Sequence, residues 1–210
     1  MLAEVAARVP APVGEDCVRV GIDGVDGSGK TFFADELAAV LRADGRTVIR
    51  VSADDFHQVR AARHQRGRDS PEGFWLDNYD YPRLRADVLE PLGSGGSRRY
   101  RPAAHDLVTD ALLDPPWLTA AAGSVLVLDG LFLHRDELAG GWELSVFLDV
   151  PFAVSVARMA GRDGSDPDPE HPSVHRYVAG QRCYFAACAP WRRADLVVDN
   201  TDLDEPVLKR

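Results

Sequence analysis

The chain has 210 residues, a formal net charge of −9 and 45% hydrophobic residues, enough for one α/β domain with a full core. The acidic balance and the lack of any basic run argue against an extended nucleic-acid footprint, and no apolar segment approaches the ~20 residues needed to cross a bilayer. Residues 1–16 have no basic segment followed by a long apolar core, and Cys17, Cys183 and Cys188 are odd in number and lack metal-ligand spacing. A cytoplasmic protein with reduced thiols is therefore expected.

In chain order, residues 1–9 read as a short helix ended by Pro10 and Pro12, within an N-terminal segment 1–17 that precedes a single unit 18–210. The alternation of Val18, Val20 and Ile22 predicts a strand that runs into Gly24, Val25, Asp26, Gly27, Ser28, Gly29, Lys30 and Thr31. These eight residues satisfy the phosphate-loop pattern G-x-x-x-x-G-K-[ST]. Glycine permits the tight turns that bring successive N–H groups onto phosphate oxygens, and the following helix adds the positive end of its dipole. In that pattern Lys30 reaches the β- and γ-phosphates and the Thr31 hydroxyl ligates Mg²⁺, so ATP with Mg²⁺ is the expected nucleotide. Lys30 and Lys209 are the only lysines of a chain that otherwise uses arginine.

Phe32, Phe33, Leu37, Val40 and Leu41 recur at helical spacing, and Gly45 marks the stop. Residues 47–52 predict a second strand and residues 53–80 a polar, irregular stretch. Residues 82–92 have helical periodicity, 93–97 form a Gly-Ser turn, and 98–108 alternate as a short projecting hairpin. Apolar runs at 124–129, 144–150 and 196–199 predict further strands, separated by helices over 152–160 and 173–187. Strands alternating with helices imply an α/β fold with a doubly wound parallel sheet, whose ligands bind beyond the carboxyl ends of the strands. That rule singles out Asp54 and Asp129. One strand-end acid serves the loop's Mg²⁺ and a second accepts the proton of an attacking hydroxyl. Asp129 equally suits a turn before Gly130, and Asp54 with Asp55 a helix cap.

With these residues in hand, the chain resembles the uridine kinase branch of the phosphate-loop kinases, related to phosphoribulokinase and bacterial pantothenate kinase. The resemblance spans residues 18–200. It is carried by the loop, by VSADDF (51–56) and NYDYP (78–82), and by Tyr100, His105, LDG (128–130) and FLDVP (147–151). It implies a P-loop fold with a helical lid that transfers phosphoryl from ATP to a small alcohol, first a nucleoside such as uridine or cytidine, with a sugar or pantothenate-like alcohol as the alternative. By the same resemblance Asp54 is the base, Asp80 binds substrate hydroxyls, and Tyr100 and His105 contact a nucleobase. Arg158 and Arg162 are lid arginines on the ATP phosphates, and Arg176 and Gln181 bind substrate. The chain departs from the family pattern at His57 and Tyr81, in the acid-rich lid DGSDPDPEHP (163–172), and in the arginines around Tyr100. A nucleotide-binding switch is the other class to weigh, but it would not need the substrate-type residues of 53–108.

Overall fold

The structure, a computed structural model, describes residues 1–209. The first half contains α1 (Leu2–Arg8), β1 (Val18–Gly24), α2 (Lys30–Ala43), β2 (Val48–Ser52), α3 (Arg60–Arg63), α4 (Pro71–Leu76) and α5 (Tyr81–Leu84). Four short strands follow: β3 (Arg99–Tyr100), β4 (His105–Asp106), β5 (Ala111–Leu112) and β6 (Leu118–Thr119). The chain then returns through β7 (Val125–Gly130), β8 (Leu144–Asp149), α6 (Phe152–Asp163), α7 (His175–Cys188), α8 (Pro190–Arg193), β9 (Leu196–Asp199) and β10 (Val207–Leu208).

The main sheet has the order β10-β9-β8-β1-β7-β2, parallel except for the β10 edge. Both faces are covered, which is why β7 and β8 are apolar without alternation. On one face Val20, Ile22, Val127 and Val146 pack against Phe33 and Leu37 of α2 and Val5 of α1. On the other, Leu126 and Leu128 pack against Phe56, Leu84, Phe132 and Tyr184. The parallel doubly wound reading is correct, and the carboxyl ends of β1, β2 and β7 come to one edge. Among the described residues no helix is long and apolar enough to cross a membrane, and all three cysteines are free.

Two local expectations need correction. Residues 82–92 are not one α-helix: α5 passes into a π-helical turn, Arg85–Leu89, in which Asp87, Val88 and Leu89 are buried. Residues 98–108 are not one hairpin. β3 pairs with β6, while β4 pairs with β5. Pro102 lies between the two ribbons and has no N–H to continue a ladder. Asp106 then sets its own turn, accepting the N–H groups of Val108 and Thr109 at 2.9 and 3.0 Å.

An aromatic hub ties the segment after β7 to α4 and α7. Phe132 is buried with a left-handed backbone, φ 64°. Its ring meets Phe74, Trp75 and Tyr184 at centroid distances of 5.5, 5.2 and 5.2 Å. Edge-on rings add to their area burial, so this contact holds the strained turn. Phe132→Ala should cost about 3–5 kcal/mol. A chemical-denaturation midpoint close to that of the native protein would show that the hub is not structural.

Candidate active site

The phosphate loop is braced from beneath and from both sides. Beneath it Asp23, fully buried at the end of β1, accepts the Gly24 N–H at 2.7 Å through Oδ1. Its Oδ2 accepts His134 Nδ1–H at 2.7 Å and the Tyr184 hydroxyl. Burial, reinforced by the Asp23 charge, pushes the Tyr184 phenol well above its usual value, so it stays a donor. At the sides, the Asp26 N–H donates to Gln181 Oε1 and Asn200 Nδ2 donates to the Ser28 carbonyl, each at 2.7 Å. Gly27 and Gly29 take φ values of 75° and 90°, which only glycine adopts freely. A Cβ on Gly27 would also collide with the Ser155 carbonyl of α6. α2 begins at Lys30, so the unpaired N–H groups of its first turn open where the loop ends. The Lys30 ammonium donates to the Val25 carbonyl at 2.8 Å, inside the loop.

Across from the loop stand the strand-end acids. Asp129 Oδ2 accepts the Thr31 hydroxyl at 2.8 Å, and its Oδ1 pairs with Arg50 at 2.9 Å. Asp54 sits on a single 3₁₀ turn after β2, with its N–H donating to Ser52 Oγ at 3.3 Å. Its Oδ1 accepts the Tyr79 hydroxyl at 2.7 Å, and its carbonyl accepts His57 Nδ1–H at 2.7 Å. Asn78 donates to the other ring nitrogen of His57 at 3.3 Å, and burial holds that imidazole below its usual pKa. Asp55 is pushed up by burial and then by the charges of Asp54 and Asp129, so three carboxylates share this edge. Lys30, Thr31, Asp54 and Asp129 all line one cavity of about 360 Å³.

Arg158 and Arg162 of α6 also line that cavity. Arg158 Nη2 donates to the carbonyls of Asn200 and Thr201 at 3.0 and 2.8 Å, while its Nη1 is buried with no partner. Arg162 pairs with Asp26 at 3.7 Å and with Asp163 at 3.3 Å.

No protein-family model matches the chain. A uridine kinase of Shewanella amazonensis is 30% identical over 159 residues, which are 71% of this chain and 70% of the relative. A uridine kinase of Shewanella pealeana is 29% identical over 156 residues, 71% of this chain and 70% of that one. The chain belongs to the uridine kinase-like family of phosphate-loop kinases. Its fold agrees with solved structures of low identity. One, described as a possible uridine kinase from Bacillus stearothermophilus, superposes with a TM-score of 0.73 at 23% identity, covering 96% of this chain and 97% of that one. Phosphoribulokinase from Rhodobacter spheroides does so with a TM-score of 0.58 at 16% identity, over 88% and 70% of the two chains. The chain is thus a phosphotransferase with an alcohol acceptor.

The acceptor residues that the uridine kinase resemblance implies are dispersed. Asp80 caps α5, accepting the Arg83 N–H at 3.0 Å. Gln181 faces the phosphate loop, where it binds the Asp26 N–H. Tyr100 packs against the buried cluster that contains Cys17, the residue before β1, and burial and then Cys17 raise its phenol. Five residues on, His105 is buried and bonded through Nε2 to Asp110 Oδ1 at 3.1 Å. Arg176 stacks over Phe74 and Tyr177 with Cζ 5.4 and 5.7 Å from their ring centroids. Of these five side chains none lines the cavity that holds Asp54.

Tyr79 is not among the expected site residues of this uridine kinase-like chain, although it stands inside the NYDYP segment that carries the resemblance. Its hydroxyl fixes one oxygen of Asp54, a residue that lines the cavity. Tyr79→Phe should lower kcat about three- to tenfold, the scale of one lost hydrogen bond, with KM for ATP unchanged. A change in KM for ATP with kcat preserved would contradict a role through Asp54.

Proposed function

We propose that the chain transfers the γ-phosphoryl of ATP to a hydroxyl, with Asp54 as the base. The carrying observation is that Lys30 and Thr31 of the loop and the two strand-end acids, Asp54 and Asp129, face one cavity. As the acceptor oxygen bonds to the γ-phosphorus, its proton passes to Asp54 and the bond to the β–γ bridging oxygen breaks, releasing ADP. The Lys30 ammonium neutralises the charge that spreads over the β- and γ-oxygens. Thr31 and Asp129 offer a hydroxyl and a carboxylate oxygen already 2.8 Å apart, hard donors that fit Mg²⁺. Held by Thr31 and Asp129, Mg²⁺ would supply positive charge against the phosphates of the nucleotide. Arg50 holds the other oxygen of Asp129 at 2.9 Å and fixes the orientation of the carboxylate.

The relatives named uridine kinase make the 5′-hydroxyl of uridine or cytidine the first acceptor to try. Another alcohol is the second reading. It is favoured by Tyr100, whose side chain is not among those that line the cavity. The test is ADP release from MgATP with a panel of nucleosides, sugars and pantothenate-like alcohols, with each product identified by mass. Acceptor-dependent release and a phosphorylated product support the kinase. Steady release without acceptor would mark an ATPase, and ATP binding with no release a switch.

A further inference from the structure

We infer that Arg63, Arg68 and Arg176, gathered around His64 with Arg60 at the rim, form an anion subsite for a phosphate or carboxylate group carried by the phosphoryl acceptor. The inference rests on the kinase reading of the cavity. Four arginines stand between positions 60 and 68 of a chain whose net charge is −9. Only Arg66 is fully engaged, by Asp77 at 2.9 Å and Glu72 at 3.9 Å. Arg63 donates through Nε to the Gln58 carbonyl at 2.7 Å and has a single carboxylate near it, Asp110 at 3.6 Å. The exposed side chains of Arg60 and Arg68 have neither an ion pair nor a hydrogen bond among the described residues.

Arg176 joins them from α7. One turn further along that helix, Gly180 meets α4 so closely that a Cβ would sit 2.8 Å from both the Pro71 carbonyl and the Phe74 ring. This approach sets Arg176 over Phe74, with its Nε buried and without a partner. The convergence shows at His64, whose imidazole is held down first by burial and then by the charges of Arg176, Arg63, Arg68 and Arg60. Arg176 is itself lowered by burial, with Arg63 and Arg68 adding to the effect against Tyr177 and Asp69. Packed like charges with little counter-charge are unfavourable, and a bound anion removes the repulsion. Guanidinium forks match phosphate and carboxylate oxygens two at a time.

The subsite adjoins the acceptor end of the cavity through two side chains. Phe74 lines the cavity with Asp54 and carries Arg176 on its ring. His57 bonds to the Asp54 carbonyl, and the Arg63 charge bears on its imidazole. An acceptor with its hydroxyl at Asp54 therefore has an anionic end within reach of the arginines. A neutral nucleoside would leave them unmatched.

The test uses the full chain saturated with Mg²⁺ and a non-hydrolysable ATP analogue, so that the phosphate loop is filled. Inorganic phosphate and, separately, acetate are titrated in by calorimetry. At least one should bind, and Arg176→Gln and Arg63→Gln should each weaken it about tenfold or more. Arg68→Gln, at an exposed and unpaired side chain, gives the same readout if either of the others fails to fold. The tighter anion identifies the acceptor as a phosphate ester or a carboxylate. No binding up to about 20 mM, or equal binding by all variants, overturns the subsite. With MgATP, ribose 5-phosphate is then compared with ribose, and pantothenate with pantothenol, beside uridine. A neutral member turned over as well as its anionic partner, with kcat/KM untouched in Arg176→Gln, overturns the anionic acceptor and leaves the kinase intact. Anion binding without ATP-dependent product from any of these overturns the kinase reading, and with it the acceptor role of the subsite.

Discussion

Lys30→Ala is expected to abolish phosphoryl transfer in a protein that still folds. In the structure the ammonium makes one hydrogen bond, to the Val25 carbonyl within its own loop, so truncation removes little that holds the sheet together. The loop keeps its braces at Asp23, Gln181 and Asn200. What is lost is a preorganised charge at the oxygens where charge builds up as the γ-phosphoryl separates, and removing a single such donor commonly costs about 10²–10³ in kcat. Lys30→Arg should not restore activity, because a planar fork cannot replace a compact point charge between the loop and the β- and γ-oxygens. The checks are kcat with MgATP, ATP affinity by calorimetry and a thermal melt. Retention of more than about a tenth of kcat, a loss below ~1.4 kcal/mol, would remove Lys30 from the mechanism.

The parts of this molecule written in local sequence are legible in the order of the residues alone. The phosphate loop is contiguous, and the strands β1, β7, β8 and β9 are apolar runs whose ends name their own acids. Distant contacts leave no such signal. Asp23 is held by His134, 111 positions away, and by Tyr184, 161 positions away, and neither partner is marked by spacing or composition. Gln181, expected at the substrate, accepts the Asp26 N–H of the loop from 155 positions away. Tyr100 and His105 read as a unit because five residues of alternating chain look like one hairpin. Pro102 divides that stretch between two ribbons, and the side chains part company. Tyr79 is masked for a related reason: the resemblance points to the acid beside it, which the structure uses as a helix cap. The arginines of 60–68 are plain in the sequence, but their meeting with Arg176 depends on the close approach of α7 to α4 at Gly180.

The two strand-end acids should separate cleanly on mutation. Asp54→Asn keeps the size of the side chain and an oxygen to accept the Tyr79 hydroxyl, which now stands 2.7 Å from Oδ1. The amide cannot take a proton from the acceptor, so turnover should fall by roughly 10²–10⁴. ATP affinity should stay nearly unchanged, because Asp54 touches neither the loop nor Thr31. Asp129→Asn acts on the other side of the cavity. It weakens an oxygen donor that already meets the Thr31 hydroxyl at 2.8 Å, and it breaks the ion pair with Arg50 at 2.9 Å. A removed charge at that position should raise the Mg²⁺ concentration needed for half-maximal activity and weaken ATP binding in step with it. Excess Mg²⁺ should then recover part of the Asp129→Asn activity and none of the Asp54→Asn activity. Equal effects of the two substitutions on ATP affinity, or recovery of Asp54→Asn by Mg²⁺, would mean that the acids do not divide the work between proton and metal.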